Sequence, residues 1–370
     1  MDLSGNALKG TLSPICGLRN IEIINLSSNT FSGGIPDAIG SLISLQQLFL
    51  SDNKLAGPIP NSFSSLRELS VLCLDGNFLS GSLPLGLVSL SRLRVLALQD
   101  NKISGDLPDL GGLTQLRTLD VSRNRLEGQV PSLSALLSLR VLACQGSARE
   151  KRGFSGGLQQ MFRTEVSGVA MSLVRLDLSG HSLEGPLPLG LRDLYLLEAR
   201  ALVIILSGNK LSGMLPEWLG ELERLRHVDL SANSFEGPVP VALAELPYLE
   251  ALLLQQNALE GDLPLKAAAA LCSGRIRRFS LDGSGIEIAR RPTIVETYEP
   301  PSAERERHVP AEKRMAETSR SDPPVPQGEG NGRQGGSTEC RALPADTVPS
   351  DGATSFASDR RFVRRGTDVL

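Results

Sequence analysis

The sequence predicts an α/β solenoid: a stack of short parallel strands, each returned by an outer turn, followed by a disordered C-terminal tail. Three observations predict it. An asparagine recurs at fixed spacing, with Asn29, Asn53, Asn77 and Asn101 each 24 residues apart, and Asn209, Asn233 and Asn257 likewise. Each sits in one frame, Leu-x-Leu-x-x-Asn-x-Leu-x-Gly-x-Leu/Ile-Pro-x-x-Leu-Gly-x-Leu, with LFLSDNKLAGPIPNSFSSL (Leu48–Leu66) and VDLSANSFEGPVPVALAEL (Val228–Leu246) as good copies. Beyond Ile288 the chain turns to Pro, Ser, Gly, Glu and Arg with few large apolar residues, too few to bury a core.

Each element of the frame has a physical reading. Leu-x-Leu alternates with period two, the pattern of a short strand. Stacked copies place these strands side by side in a parallel sheet, about 4.8 Å apart. The asparagine follows the strand, where inward backbone groups lack water. Its amide both donates and accepts, so Asn29, Asn53, Asn77, Asn101, Asn124, Asn209, Asn233 and Asn257 are expected to form a structural ladder. The glycine four residues later permits a left-handed turn. The proline blocks further pairing and fixes the exit from the strand. The x-x-Leu-Gly-x-Leu segment suits a short helical turn on the outer face. A single repeat buries too little to offset its own ordering, so only the stack folds.

The frame resembles the leucine-rich repeats of plant type, with a 24-residue period and the Gly-x-Ile/Leu-Pro step. That type occurs in ectodomains of receptor-like kinases, in receptor-like proteins and in polygalacturonase inhibitors. The resemblance covers about Met1 to Ile286. It implies a curved solenoid whose parallel sheet lines the concave face, with residues 1–288 forming about 11–12 repeats and residues 289–370 the tail. It implies no catalysis and no cofactor. The expected function is recognition of a protein or peptide, with a polysaccharide as a further ligand class and a co-receptor as a further partner, in signalling or defence. Two other readings stand beside it: an intracellular scaffold whose tail also recruits partners, and an inhibitor of a secreted cell-wall enzyme.

The pattern breaks in three places. Met1 and Leu3 already hold strand positions, whereas the family places a cysteine-bearing cap first, so a truncated chain lacking caps and kinase is expected. Residues 146–172 swell one interval to 34; GFSGGL keeps the frame's look, with Gln159 in the proline's place. A smaller irregularity falls at 194–206, and the frame stops after RIRRFSLDGSGIEI (Arg275–Ile288). The resemblance implies a cell-surface or extracellular setting. MDLSGNALKG nevertheless has no basic or apolar signal region, and no stretch reaches the ~18 apolar residues a span needs. The single sequon, Asn25-Leu26-Ser27, points toward an intracellular or unglycosylated setting.

A net charge of −3 argues against a general nucleic-acid or membrane-surface binder. The five cysteines are unpaired at short spacing and read as small apolar residues. GNGRQG (Gly330–Gly335) lacks the strand and helix that a nucleotide site requires, and PPVP (Pro323–Pro326) is common in proline-rich tails. His227 and Asp229 share a strand face without a third ligand, and no metal site is expected. His181 stands at a ladder position as a polar substitute.

The informative surface is the exposed strand face. Its middle column runs through Asn25, Phe49, Cys73, Ala97, Asp120, Ala143, Asp177, Ile205, Asp229, Leu253 and Ser280. A neighbouring column holds Val71, Val95, Thr118, Val141, Arg175, Val203 and His227. Phe49, Val71, Cys73, Val95 and Ala97 are expected to form an apolar patch, flanked by Arg94, Arg117 and Arg140 at one repeat position. With Asp120 these make the candidate ligand surface, since an apolar centre with a polar rim suits protein or peptide contacts.

Overall fold

The computed structural model describes residues 1–146, 153–162, 172–196, 201–262, 276–281 and 285–287. The chain divides into Met1–Ile294 and Val295–Leu370, and every described residue lies in the first unit. The expected tail, with GNGRQG and PPVP, lies outside the described residues.

Two all-parallel sheets run the length of the unit, one of eleven strands and one of twelve. The eleven are Ile23–Asn25, Gln47–Phe49, Val71–Cys73, Val95–Ala97, Thr118–Asp120, Val141–Ala143, Arg175–Asp177, Leu202–Ile205, Leu225–Asp229, Ala251–Leu253 and Arg278–Ser280. Each pairs with its counterpart one repeat away, so Gln47, Val71, Val95 and Thr118 stand in one row, and Phe49, Cys73, Ala97 and Asp120 in the next. The middle residue of each strand points inward: Ile24, Leu48, Leu72, Leu96 and Leu119 are all buried. The twelve-stranded sheet is built from the segment after each asparagine, such as Lys54–Gly57 and Phe78–Gly81.

The rest of the repeat is local physics. The glycine four residues past the asparagine is left-handed throughout, as at Gly57 with φ +84°. The residue just before the asparagine is left-handed too, and at Ser28, Asp52, Asp100, Arg123, Ala232 and Gln256 it is not glycine. Proline then enters the outer turn in an extended conformation, and its carbonyl accepts the first turn bond, as Pro36 does from Ile39 N–H at 2.9 Å. The outer turns are short 3-10 helices such as Asp37–Ser41, Asn61–Ser65 and Leu85–Ser89, with one α-turn at Val241–Glu245. One continuous core fills the space between the sheets and these turns, made mainly of leucine with Phe63, Phe154 and Phe235 at 0–1% exposure.

The asparagines close the remaining backbone groups. Asn53 Nδ2 donates to its own turn at Leu50 O (3.1 Å) and to the previous repeat at Leu26 O (3.0 Å). Its Oδ1 accepts Phe31 N–H at 3.0 Å. Asn29, Asn77, Asn101, Asn124, Asn209, Asn233 and Asn257 repeat this arrangement within 0.2 Å, each accepting one N–H from the previous repeat at 2.9–3.1 Å.

The long interval does not break either sheet. Val141–Ala143 pairs directly with Arg175–Asp177, and Phe154–Gly157 takes its place between Arg125–Gln129 and Ser182–Gly185. The smaller irregularity appears as a register shift between Leu202 and Val203 against Leu225–Asp229. Among the described residues no helix is long and apolar enough to cross a membrane.

Candidate functional site

Strand alternation aims two side chains per repeat outward from the eleven-stranded sheet, and the residue before each strand adds a third. Across the repeats this gives three parallel columns. The first holds Arg94, Arg117 and Arg140 on consecutive rungs, with Arg117 N–H bonded to Arg94 O and Arg140 N–H to Arg117 O, each at 2.8 Å. Arg94 and Arg117 are half-buried, and Arg140 is exposed. The second column carries Val71, Val95, Thr118 and Val141, and the third Phe49, Cys73, Ala97, Asp120 and Ala143.

The patch differs from the expectation in one respect. Cys73 is 1% exposed and Ala97 0%, so neither presents surface to a ligand. Both are small and lie in the row between the larger Phe49 and Asp120. They form a floor, and the accessible apolar groups around it are Phe49 and Val95, with Val71 only 9% exposed. Cys16, Cys73 and Cys144 are buried free thiols, and burial pushes each of them up, away from thiolate chemistry.

Past the strands, in a fourth column made mainly of serine and glutamine, one acidic position was missed in the sequence. Asp75 looks like a solvated turn residue there, yet burial pushes its carboxyl up to about 6. A bond from the Ser51 hydroxyl at 2.5 Å works against that shift, and the Asp52 and Asp120 carboxylates reinforce it. Asp120 is raised as well, by burial first, although it accepts Ser122 N–H at 3.0 Å and faces Arg123. Between them lies Gln99, 8% exposed, whose Oε1 has no hydrogen-bond partner. Farther along, burial lowers His227, while Asp229 opposes the shift and Arg278 and Arg175 add to it. The face therefore carries three arginines along one edge and a small apolar centre, with the half-buried carboxyls of Asp75 and Asp120 as separate acidic points.

His181 is placed by the ladder, outside this face. Its Nδ1 accepts Phe154 N–H at 3.2 Å and its Nε2 meets Cys144 O, the two roles an asparagine amide fills elsewhere. Neutral imidazole with the proton on Nε2 satisfies both, and burial lowers its basicity accordingly. A surface depression of about 450 Å³ lies away from the strand face, lined by Asp106, Asp109, Gln129 and Pro131 among others, with no histidine or cation. Among the described residues no group of three His, Cys, Asp or Glu side chains is placed to hold a metal.

The stacked strands, the ladder and the outer turns agree with comparisons to known proteins. A family profile described as a leucine-rich repeat region matches residues 2–292. The chain belongs to the leucine-rich repeat family. Among solved structures it is similar to a TDR receptor, at 28% identity and TM-score 0.68, over 77% of this chain and 47% of that one. It is also similar to the Arabidopsis receptor kinase HAESA, solved with the peptide hormone IDA and the co-receptor SERK1. That match has 31% identity and TM-score 0.67, over 78% of this chain and 46% of the receptor. A plant ice-binding protein matches at 27% identity and TM-score 0.55, over 72% of this chain and 82% of its own. The chain spans about half the length of the receptors it matches. A comparison with curated proteins gives no match. The fold is thus shared with ectodomain-type receptors, a setting of ligand recognition.

Proposed function

We propose that this protein recognises a peptide on its eleven-stranded face, in a receptor-like role with a co-receptor as second partner. The observation that carries the reading is the face itself. Phe49 and Val95 stand partly exposed beside the small buried residues Cys73 and Ala97, and Arg94, Arg117 and Arg140 continue the same face on Val95's rung and the next two. An apolar centre with a charged margin gives an extended peptide both burial and direction. The likeness to HAESA, solved with a peptide hormone and a co-receptor, supports the same reading.

The test is selection of a random-peptide library against the full chain. Phe49→Glu and Val95→Glu place carboxylates in the apolar strip and are expected to weaken the enriched peptides at least ~10-fold, or ~1.4 kcal/mol. Leu85→Glu, on an outer turn where the leucine is 74% exposed, should leave them unchanged. Equal binding by all three variants would sink the reading.

A further inference from the structure

Several arginines in this solenoid are neutralised by carboxylates on neighbouring repeats. Arg123 meets Asp100 at 2.6 Å, Arg192 meets Glu221 at 2.6 Å and Arg226 meets Glu250 at 3.3 Å, and Arg92 pairs with Glu68. Each of these pairs joins neighbouring repeats. Arg94, Arg117 and Arg140 are unlike these pairs. They occupy three consecutive rungs, and among the described residues none has an ion pair or a side-chain hydrogen bond. Their backbones are one strand spacing apart, about 4.8 Å. Like charges at that distance repel, and the other described pairs show that a glutamate on an adjacent rung would relieve it.

We infer that Arg94, Arg117 and Arg140 are the docking row for an acidic peptide, whose alternate side chains carry carboxylates. The inference rests on the peptide-recognition reading above and adds the charge of the ligand. In an extended chain every second side chain lies on one edge, ~6.6–6.8 Å apart. Carboxylates at such positions fall within the splay of guanidiniums whose backbones are ~4.8 Å apart, and each pair can be bidentate. A peptide is favoured over an acidic polysaccharide because the arginine row borders Val95 and Val141, which suit apolar side chains and offer nothing to a polyuronate.

The experiment uses the same library, of peptides about twelve residues long and so ~40 Å when extended. Selected against the full chain at low salt, it should enrich Asp and Glu at alternating positions. The leading peptide should bind at least ~10-fold more tightly than its Gln-substituted counterpart, and the advantage should shrink as salt rises. On the Arg94→Glu/Arg117→Glu variant, with an unchanged circular dichroism spectrum, the preference should reverse toward lysine. Enrichment without any acidic preference overturns the arginine row and leaves peptide recognition standing. No enrichment at all overturns both. Arginine-dependent binding of an oligogalacturonate, with no peptide enriched, overturns the peptide as occupant.

Discussion

Removing one ladder asparagine has a cost that can be worked from its hydrogen bonds. Asn77 is 5% exposed, and its Nδ2 donates to Leu50 O and Leu74 O at 3.0 Å each and to Asp75 O at 3.1 Å. Its Oδ1 accepts the N–H of Leu55, a buried residue, at 3.0 Å. In Asn77→Ala the carbonyls are only partly deprived, since Asn53 still donates to Leu50 O and Asn101 to Leu74 O. Leu55 N–H loses its side-chain acceptor outright. Stranding a buried donor costs ~1–3 kcal/mol, and each lost bond to a carbonyl that keeps another donor ~0.5–1.5. The expected loss is therefore about 2–6 kcal/mol, read as a fall in the urea midpoint. Asn77→Asp sharpens the test. It keeps an acceptor for Leu55 but sets a carboxylate against three carbonyls, so it should be at least as damaging at pH 7 and should recover near pH 4, as the carboxyl gains a proton to donate. A loss below ~1 kcal/mol for alanine, or no pH dependence for aspartate, would refute the claim that the amide holds the turns together.

Three further outcomes are expected. The fold holds His181 neutral with its pKa lowered, so its contribution is present above the unfolded value near 6.5 and is lost as pH falls; the urea midpoint should drop from pH 8 to pH 5 in the native chain and less in His181→Asn. Asp75, raised to about 6 from 3.8, ionises later in the folded than in the unfolded chain, so stability declines as pH rises between those values. Asp75→Asn should accordingly stabilise by about 1–2 kcal/mol at pH 7 and be neutral near pH 3, by thermal melting. A Cβ on Gly112 would stand 2.2 Å from Val88 O, while one on Gly111 meets nothing nearer than Asp109 Oδ1 at 3.3 Å. Gly112→Ala should cost ~1–3 kcal/mol and Gly111→Ala distinctly less, in paired denaturation curves.

Much of this architecture was legible because the repeat carries its own register. Aligning asparagines places Phe49 beside Cys73 and Val95 beside Thr118, and the strand pairing does the same. Three things were not legible. The left-handed residue before each asparagine escapes notice because Ser28, Arg123 and Ala232 share no side-chain chemistry; the conformation is imposed by the turn. The burial of Cys73 and Ala97 depends on the size of neighbours on other strands, which no single repeat reveals. The raised carboxyl of Asp75 arises the same way, first from burial by neighbouring rungs and then from the nearby Asp52 and Asp120. His181 was readable as a polar substitute, but its matched acceptor and donor needed the positions of Phe154 N and Cys144 O.

The pairing scheme has a consequence for how such a molecule changes. Nearly every long-range bond joins a residue to its counterpart one repeat away, and the ladder closes each turn onto the last. Splicing in one complete repeat would therefore renumber its neighbours without rearranging them. It would lengthen the binding face by one strand spacing, ~4.8 Å. Length and chemistry thus vary independently: the number of repeats meters how much ligand is read, while single substitutions at outward positions decide what is read at each step. A globular domain, whose contacts interlock across the whole chain, has no such freedom to be re-cut to measure.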